Sequence, residues 1–347
     1  MLSIILVTYR SWELLEENID HLLQSSGLGR EDPIPWELII VNNDADEDRD
    51  GAVAFKRKFP RVRMLQAFGD RGYGYSCNRG AEVAKGDAFL FGGSDLKMEG
   101  PQLQILLKGL RDYPDYAILS APQDDRRGRL QRSFAPFTRL GNHFSFLRWF
   151  GRRFQPGRHL DPRTPPEELP EMLPVEWVSG SLVLIRRESF EQLGGWDEDL
   201  WLYCEDEDLC RRAHENGMRV GYYTPPRFIH AHAVSTRGTV QETAVYKSET
   251  IISKLIYLTK HEPNPSGDFL RYLIRLQTHI GLPLFETLSL LTARSIDKIE
   301  LKKHIHRRLK THYKIWRASG QMLSEYAPNH PERGRMPVEE IEAGSPS

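Results

Sequence analysis

Leu38-Ile39-Ile40-Val41-Asn42-Asn43 is the run on which the fold turns. Its four apolar residues, three of them β-branched, do not alternate with polar ones, so both faces of the strand must be covered. That is the pattern of a strand inside a parallel sheet. Upstream, Ser3-Ile4-Ile5-Leu6-Val7 has the same character and ends in Thr8-Tyr9-Arg10. Between the two, Leu14, Leu15, Ile19, Leu22 and Leu23 recur at helical spacing across Trp12 to Ser25. Downstream come a third strand around Val62-Arg63-Met64-Leu65, a glycine-rich turn from Gly69 to Gly74, and a helix through Ala81-Glu82-Val83-Ala84 that stops at Gly86. Ala88-Phe89-Leu90-Phe91 is a fourth strand, ending in Gly92-Gly93-Ser94-Asp95. Alternating strands and helices specify an α/β fold with crossover connections. Ligands of such sheets bind beyond the carboxyl ends of the strands. Thr8-Tyr9, Asn42-Asn43 and Ser94-Asp95 are therefore expected to line one crevice, and Asp44, Asp46, Glu47 and Asp48 to form a solvated loop.

The second half holds the chemistry. Val175 to Ile185 reads as one strand with a glycine kink at Gly180, followed by a short helix from Arg186 to Leu193 closed by Gly194-Gly195. Seven acids then lie between Asp197 and Asp208, among Trp196, Leu200, Trp201, Leu202 and Tyr203. Carboxylates set among large apolar side chains are costly to desolvate unless a cation, an arginine or a raised pKa offsets the cost. Asp208, Arg211 and Arg212 stand at i, i+3 and i+4, and Asn216-Gly217 is a helix stop, so Glu205 and Asp206 open a helix whose dipole favours negative charge. Arg219 to Tyr223 is a last strand, leading to Phe228-Ile229-His230. Beyond about Thr239 the pattern is helical, over 251–260, 269–291 and 296–322, and residues after Pro328 read as a disordered tail.

The boundaries that follow are a catalytic unit over 1–238, a helical region over 239–327 and a tail over 328–347. Within the first, 126–174 is a basic insert. Arg126 to Arg158 carries nine arginines and no acid; Phe137, Leu140, Phe144 and Leu147 recur after Pro136, a helix start, and six prolines from Pro156 to Pro174 mark a loop. The basic stretches Arg126–Arg158 and Lys298–Arg317 are read as solvated faces, as a homodimer surface through the C-terminal helices, or as a peripheral contact with an anionic membrane.

Composition narrows the classes. The 347 residues have a formal net charge of −1, so no global field draws the chain to nucleic acid or membrane, and no nucleic-acid reader motif is present. No run approaches the length of a membrane span. The opening strand lacks the basic flank of a secretory signal, and three cysteines without CxxC spacing indicate neither disulfides nor zinc; a reducing cytoplasm is the expected compartment. Gly72-x-Gly74 would need its third glycine at Cys77, which excludes a dinucleotide fingerprint, and no P-loop, HExxH or GxSxG occurs.

Six segments in order resemble the inverting, metal-dependent family 2 glycosyltransferases of GT-A fold, in the branch that includes bacterial rhamnosyltransferases. They are Ser3–Arg10; Gly72-Tyr73-Gly74-Tyr75-Ser76-Cys77-Asn78-Arg79-Gly80; Gly93-Ser94-Asp95; Ser179-Gly180-Ser181 through Gly194-Gly195-Trp196-Asp197-Glu198; Glu205-Asp206-Glu207-Asp208-Leu209-Cys210-Arg211-Arg212; and His230 through Ser235. Gly128 to Phe134 is a softer match to the same branch.

The resemblance implies transfer of a sugar from a dTDP- or UDP-sugar, such as dTDP-rhamnose, to a saccharide or lipid-linked saccharide in cell-surface polysaccharide synthesis. Such an acceptor would place the enzyme at the inner face of the cytoplasmic membrane. Asp206 matches the family's general base, with Glu205 second because sequence does not rank adjacent carboxylates. Asp95 and His230 match the ligands of Mn²⁺ or Mg²⁺. Thr8, Tyr9, Arg10, Asn42, Asn43, Asn78, Ser94 and Asp95 fall on the donor side. Trp177, Gly180, Trp196, Asp197 and Trp201 fall on the acceptor side, where aromatic rings stack on sugars. Two positions depart from the family. Asn42 stands where it has a nucleotide-binding aspartate, and Gly93 where it has the first acid of a DxD motif. A nucleotidyltransferase and a catalytically inactive scaffold are the competing readings.

Overall fold

The computed structural model describes residues 1–25, 35–44, 49–67, 69–139, 161–231, 239–262, 296–319, 324, 326 and 339–340. The first half alternates as its sequence demands: β1 (Leu2–Thr8), α1 (Trp12–Ser25), β2 (Trp36–Asn42), α2 (Arg49–Lys58), β3 (Arg63–Gln66), α3 (Tyr73–Val83) and β4 (Ala88–Gly93). β1 is buried along its whole length and lies parallel between β2 and β4, while β3 continues the parallel set beyond β2.

The second half adds β5 (Leu96–Lys97), α4 (Gly100–Asp112), β6 (Tyr116–Ser120), β7 (Gln123–Asp124), β8 (Phe134–Ala135), β9 (Met172–Pro174), β10 (Trp177–Val178), β11 (Leu182–Arg186), α5 (Arg187–Leu193), α6 (Glu205–Glu215), β12 (Arg219–Tyr223) and β13 (Phe228–His230). Among the described residues, two long helices follow, α7 (Val240–His261) and α8 (Ile296–Ser319), and then β14 (Glu339–Glu340). The main sheet runs β14-β3-β2-β1-β4-β11-β6-β12-β9, with β11 antiparallel to both of its neighbours. Two small sheets, β10-β8 and β5-β13-β7, stand apart from it. This is the mixed sheet with flanking helices of a GT-A fold, followed by C-terminal helices.

Side-chain alternation along the strands makes two cores. Ile5 and Val7 of β1 join a core built from α3, α5, α6, α7 and α8; Leu2, Ile4 and Leu6 join the one under α1, α2 and α4. α3 rides directly on β1 at Gly80, where a Cβ would come within 2.4 Å of the Ile5 Cγ2. Among the described residues, no helix is long and apolar enough to cross a membrane.

Four sequence expectations are corrected. The stretch from Val175 to Ile185 is two strands in different sheets, because Gly180 gives its N–H to a carboxylate and its C=O to a phenol instead of to a ladder. Among the described residues, the helix read after Pro136 does not begin over 137–139: the N–H of Phe137 is held by Glu176 at 2.5 Å and that of Thr138 by Glu207, and these three residues run irregularly. The basic insert beyond Arg139 lies outside the described residues up to 160, as does the helix read at 269–291. Asp44 is not solvated; it is 3% exposed and accepts from Arg10 Nε at 3.2 Å. In the tail, Glu339 and Glu340 pair with Gln66 and Leu65 as an added edge strand.

Candidate active site

Strand register assembles the site edge. Thr8 lies opposite Asn42, Asn42 opposite Gln66, and Val7 opposite Gly93. β11 enters the sheet at this same edge with Leu182 opposite Gly92, which brings Gly180 beside the ends of the parallel strands. A cleft opens there, lined by Val7, Tyr9, Ser11, Leu14, Asn43, Asp70, Gly72, Tyr73, Gly93, Ser94, Asp95, Trp201, Leu202 and Tyr246.

Of the residues read as donor-side, Tyr9, Asn43, Ser94 and Asp95 line this cleft. Thr8 is buried just behind it, sharing a hydrogen bond of 3.1 Å with Ser11 Oγ, which meets Ser94 Oγ at 2.6 Å. Asn42 is fully buried and does not face the cleft. Its Nδ2 donates to Gln66 Oε1 at 2.9 Å and its Oδ1 accepts the Asp44 N–H, so it ties the end of β2 to β3. Arg10 turns to Asp44 and Glu242. Asn78 is a clamp: Nδ2 donates to the Trp196 carbonyl and to Glu198 Oε1, both at 2.9 Å, and Oδ1 accepts the Trp196 N–H.

The acceptor-side set separates. Trp201 lines the cleft, with its Nε1 on Asp70 Oδ1 at 3.0 Å and its ring parallel to that of Tyr246, 6.3 Å away. Trp196 is 2% exposed and packs edge-on against Tyr73 and Phe91, so it is a core residue. Asp197 is bound by Lys260 and caps its own turn through the Asp199 N–H. Trp177 is half-buried, donating to the Pro136 carbonyl at 3.0 Å. None of these last three lines the cleft.

The acidic helix is set by its approach. Tyr203 and Cys204 both have left-handed backbones, at φ +70° and +66°, a conformation that costs each residue about 1–3 kcal/mol. They turn the chain so that Asp206 points at the sheet edge. Its Oδ2 accepts the Gly180 N–H at 2.8 Å and its Oδ1 the Glu207 N–H at 2.8 Å. Gly180 in turn accepts the Tyr73 hydroxyl at 2.6 Å, and Tyr73 lines the cleft. Burial raises the Asp206 pKa above its ordinary value against these two N–H groups. Glu205 is 7% exposed; burial, then the neighbouring Asp206 charge, push its pKa well up, and its Oε2 has no hydrogen-bond partner. Burial pushes Glu207 up to about 7, while it accepts from both N–H and O–H of Thr138. Asp208 pairs with Arg212 at 2.6 Å and His261 at 2.7 Å, the partners that keep its pKa low despite burial.

At the end of β4, Asp95 Oδ2 lies 3.2 Å from His230 Nε2, with both side chains less than one-fifth exposed. Gln131 steers the imidazole: its Oε1 is 3.1 Å from Nδ1 and its Nε2 donates to the His230 carbonyl at 2.6 Å. An Nδ1–H donating to Gln131 leaves an Nε2 lone pair facing a carboxylate oxygen, a donor pair suited to a cation. Among the described residues no cluster of three or more His, Cys, Asp or Glu side chains could hold a metal alone. Asp95 and His230 together would fit a divalent cation as an oxygen and an imidazole donor, and such a cation would need further ligands from outside the pair.

Several site residues escaped the sequence reading. Asp70 and Tyr73 sit in the glycine-rich turn, where their neighbours drew attention. Gln131 lies in the Gly128–Phe134 segment. Tyr246 had no local signal, since its place in the cleft depends on how α7 docks.

Comparison with known proteins gives the following. The family described as Glycosyl transferase family 2 matches residues 3–194, more than half of the chain, and the N-terminal domain of galactosyltransferase matches residues 167–234. The chain is similar to an N-acetylglucosaminyl-diphospho-decaprenol L-rhamnosyltransferase of Mycobacterium tuberculosis, 28% identical over 268 residues, covering 73% of this chain and 83% of that protein. It is similar to rhamnosyltransferase WbbL of Escherichia coli K12, 35% identical over 68 residues, 20% of this chain and 26% of that one. A solved mannosyltransferase, PcManGT from Pyrobaculum calidifontis with GDP-Man and Mn²⁺, aligns over 91% of this chain and 87% of its own at 14% identity and a TM-score of 0.48.

Glu207 makes a prediction about stability. The folded chain keeps this proton up to about 7, and the unfolded chain releases it near 4.5. Between those values the folded state binds more protons, so stability falls as pH rises through the window. Glu207→Gln should flatten the decline of melting temperature across it. A profile parallel to that of the parent chain would show that Glu207 is not its source.

Proposed function

The chain belongs to glycosyl transferase family 2, and on that premise we propose that it transfers a sugar with inversion, using Asp206 as general base. The observation that carries this reading is the seating of Asp206. Two backbone N–H groups hold its carboxylate at the sheet edge and leave two of its four lone-pair sites for an acceptor hydroxyl. The hydroxyl oxygen attacks the anomeric carbon from the face opposite the diphosphate. Asp206 takes its proton, and the bond from that carbon to the diphosphate oxygen breaks with its electron pair. Burial makes Asp206 a stronger base than a solvated aspartate, which suits it to this step. Burial and the Asp206 charge raise the Glu205 pKa, so Glu205 holds its proton to higher pH than a solvated glutamate.

The donor reading is a nucleoside diphosphate sugar in the cleft, with dTDP-L-rhamnose or a UDP-hexose as candidates. The acceptor reading is a saccharide on a lipid diphosphate. The Mycobacterium tuberculosis relative supports both, since its name gives rhamnose as the sugar and a diphospho-decaprenol as the carrier. Asp95 and His230 would hold the divalent cation, whose charge would stabilise the leaving diphosphate. A lipid-linked acceptor also places the enzyme against a membrane. On α8, Arg307, Lys310 and Lys314 are exposed, whereas Arg308 turns inward to Ser248 and Tyr326.

Three outcomes follow. Asp206→Asn should fold and still bind donor nucleotide, yet lose turnover by several orders of magnitude; more than about a tenth of parent activity would remove its role as base. Nucleotide-induced stabilisation in a thermal-shift assay should depend on Mg²⁺ or Mn²⁺ in the parent and lose that dependence in His230→Ala. A metal effect that survives would place the cation elsewhere. Vesicles rich in anionic lipid should float the protein at low salt and release it at high salt; absence of binding would leave the α8 cations as a solvated face.

A further inference from the structure

Within the sugar-nucleotide reading above, on which it rests, we propose that Asp70 reads the nucleobase of the donor. The end of β2 cannot supply that contact, because the Asn42 amide is fully buried and closed onto Gln66. The loop after β3 supplies a carboxylate instead. Asp70 lines the cleft, and three donors from three directions converge on its Oδ1: Asn43 Nδ2 at 2.9 Å, the Gly72 N–H at 3.1 Å and Trp201 Nε1 at 3.0 Å. That arrangement fixes the orientation of the carboxylate before any ligand arrives. Gly72 is needed for it: its φ is +93°, and a Cβ there would collide with the Trp201 carbonyl at 2.2 Å.

The surroundings suit a flat ring. Tyr9 and Tyr246 line the same cleft, and both phenols are raised first by burial and next by charges that include Asp70. An ionised carboxylate only accepts hydrogen bonds. Uracil and thymine offer it a ring N3–H and guanine a ring N1–H. Cytosine has no ring N–H on that edge and would oppose its N3 lone pair to the carboxylate. Asp70 therefore selects bases that carry a ring N–H. A base that turns a lone pair toward the carboxylate forgoes a hydrogen bond to a charged group, which is worth about tenfold or more in affinity.

The test is direct binding, measured by calorimetry on the full chain with Mg²⁺ and independent of turnover. Of UDP, dTDP and GDP, one should bind at least about tenfold tighter than CDP. Its ring-N-methylated form, which removes the donor and leaves the protein untouched, should lose that advantage. Asp70→Asn should bring the preferred nucleotide and CDP to similar affinity while inorganic pyrophosphate binds as before. Equal binding of the methylated and parent nucleotides overturns the role, as does an Asp70→Asn variant that weakens all four nucleotides alike. Failure of every nucleotide to bind the parent chain removes the donor reading itself, and the role with it.

Discussion

A single hydrogen bond of 2.8 Å, from the Gly180 N–H to Asp206 Oδ2, sits where three parts of the molecule meet. On one side it interrupts what the sequence reads as a continuous strand, because an N–H given to a carboxylate is not available to a ladder. On the other it holds the first turn of α6 against the sheet edge. The Gly180 carbonyl accepts the Tyr73 hydroxyl, which joins the start of α3 to the same point. A Cβ at 180 would stand 3.3 Å from Asp206 Cβ, a tight contact, and 3.5 Å from the Tyr73 ring, an ordinary one, so a side chain there would have to shift Asp206 by a few tenths of an ångström. Carboxylate, sheet edge and cleft wall are thus positioned together.

The C-terminal helices brace this arrangement. Lys260 of α7 holds Asp197 and Asp199, His261 holds Asp208, and Ser253 Oγ donates to the Leu202 carbonyl at 2.7 Å. Tyr246, from the same helix, lines the cleft beside Trp201. Leu309 and Trp316 of α8 are buried in the core that also receives α7, so much of the basic helix's apolar side is used within the chain. The cost of burying these acids is offset by Lys260 and His261, which arrive 53 to 63 residues later in the sequence.

The first four parallel strands and the crevice at their ends could be read directly, because fully apolar runs ending in polar pairs carry their own register. β6 and α4 went unread, since Tyr116–Ser120 is short and Gly100–Asp112 lacks a strong stop. For the site, Tyr9, Asn43, Ser94, Asp95 and Trp201 were placed on the cleft from strand ends and aromatic context. Asn42 and Trp196 were not distinguishable from cleft residues by sequence: alternation tells which face a side chain takes, but not that Gln66 will close the one or Phe91 and Tyr73 surround the other. Asp70 and Tyr246 depend on contacts between segments 131 and 45 residues from Trp201, which no local pattern records.

The left-handed pair Tyr203–Cys204 carries a further meaning. Glycine or asparagine would hold such backbone angles with less strain, yet the chain has a tyrosine and a buried cysteine there. Natural sequences stand near a threshold of stability rather than at its optimum, and strain concentrates where geometry is under selection. In evolutionary terms, these two residues mark where this chain stands away from its own optimum, one peptide unit before the acids whose direction they set.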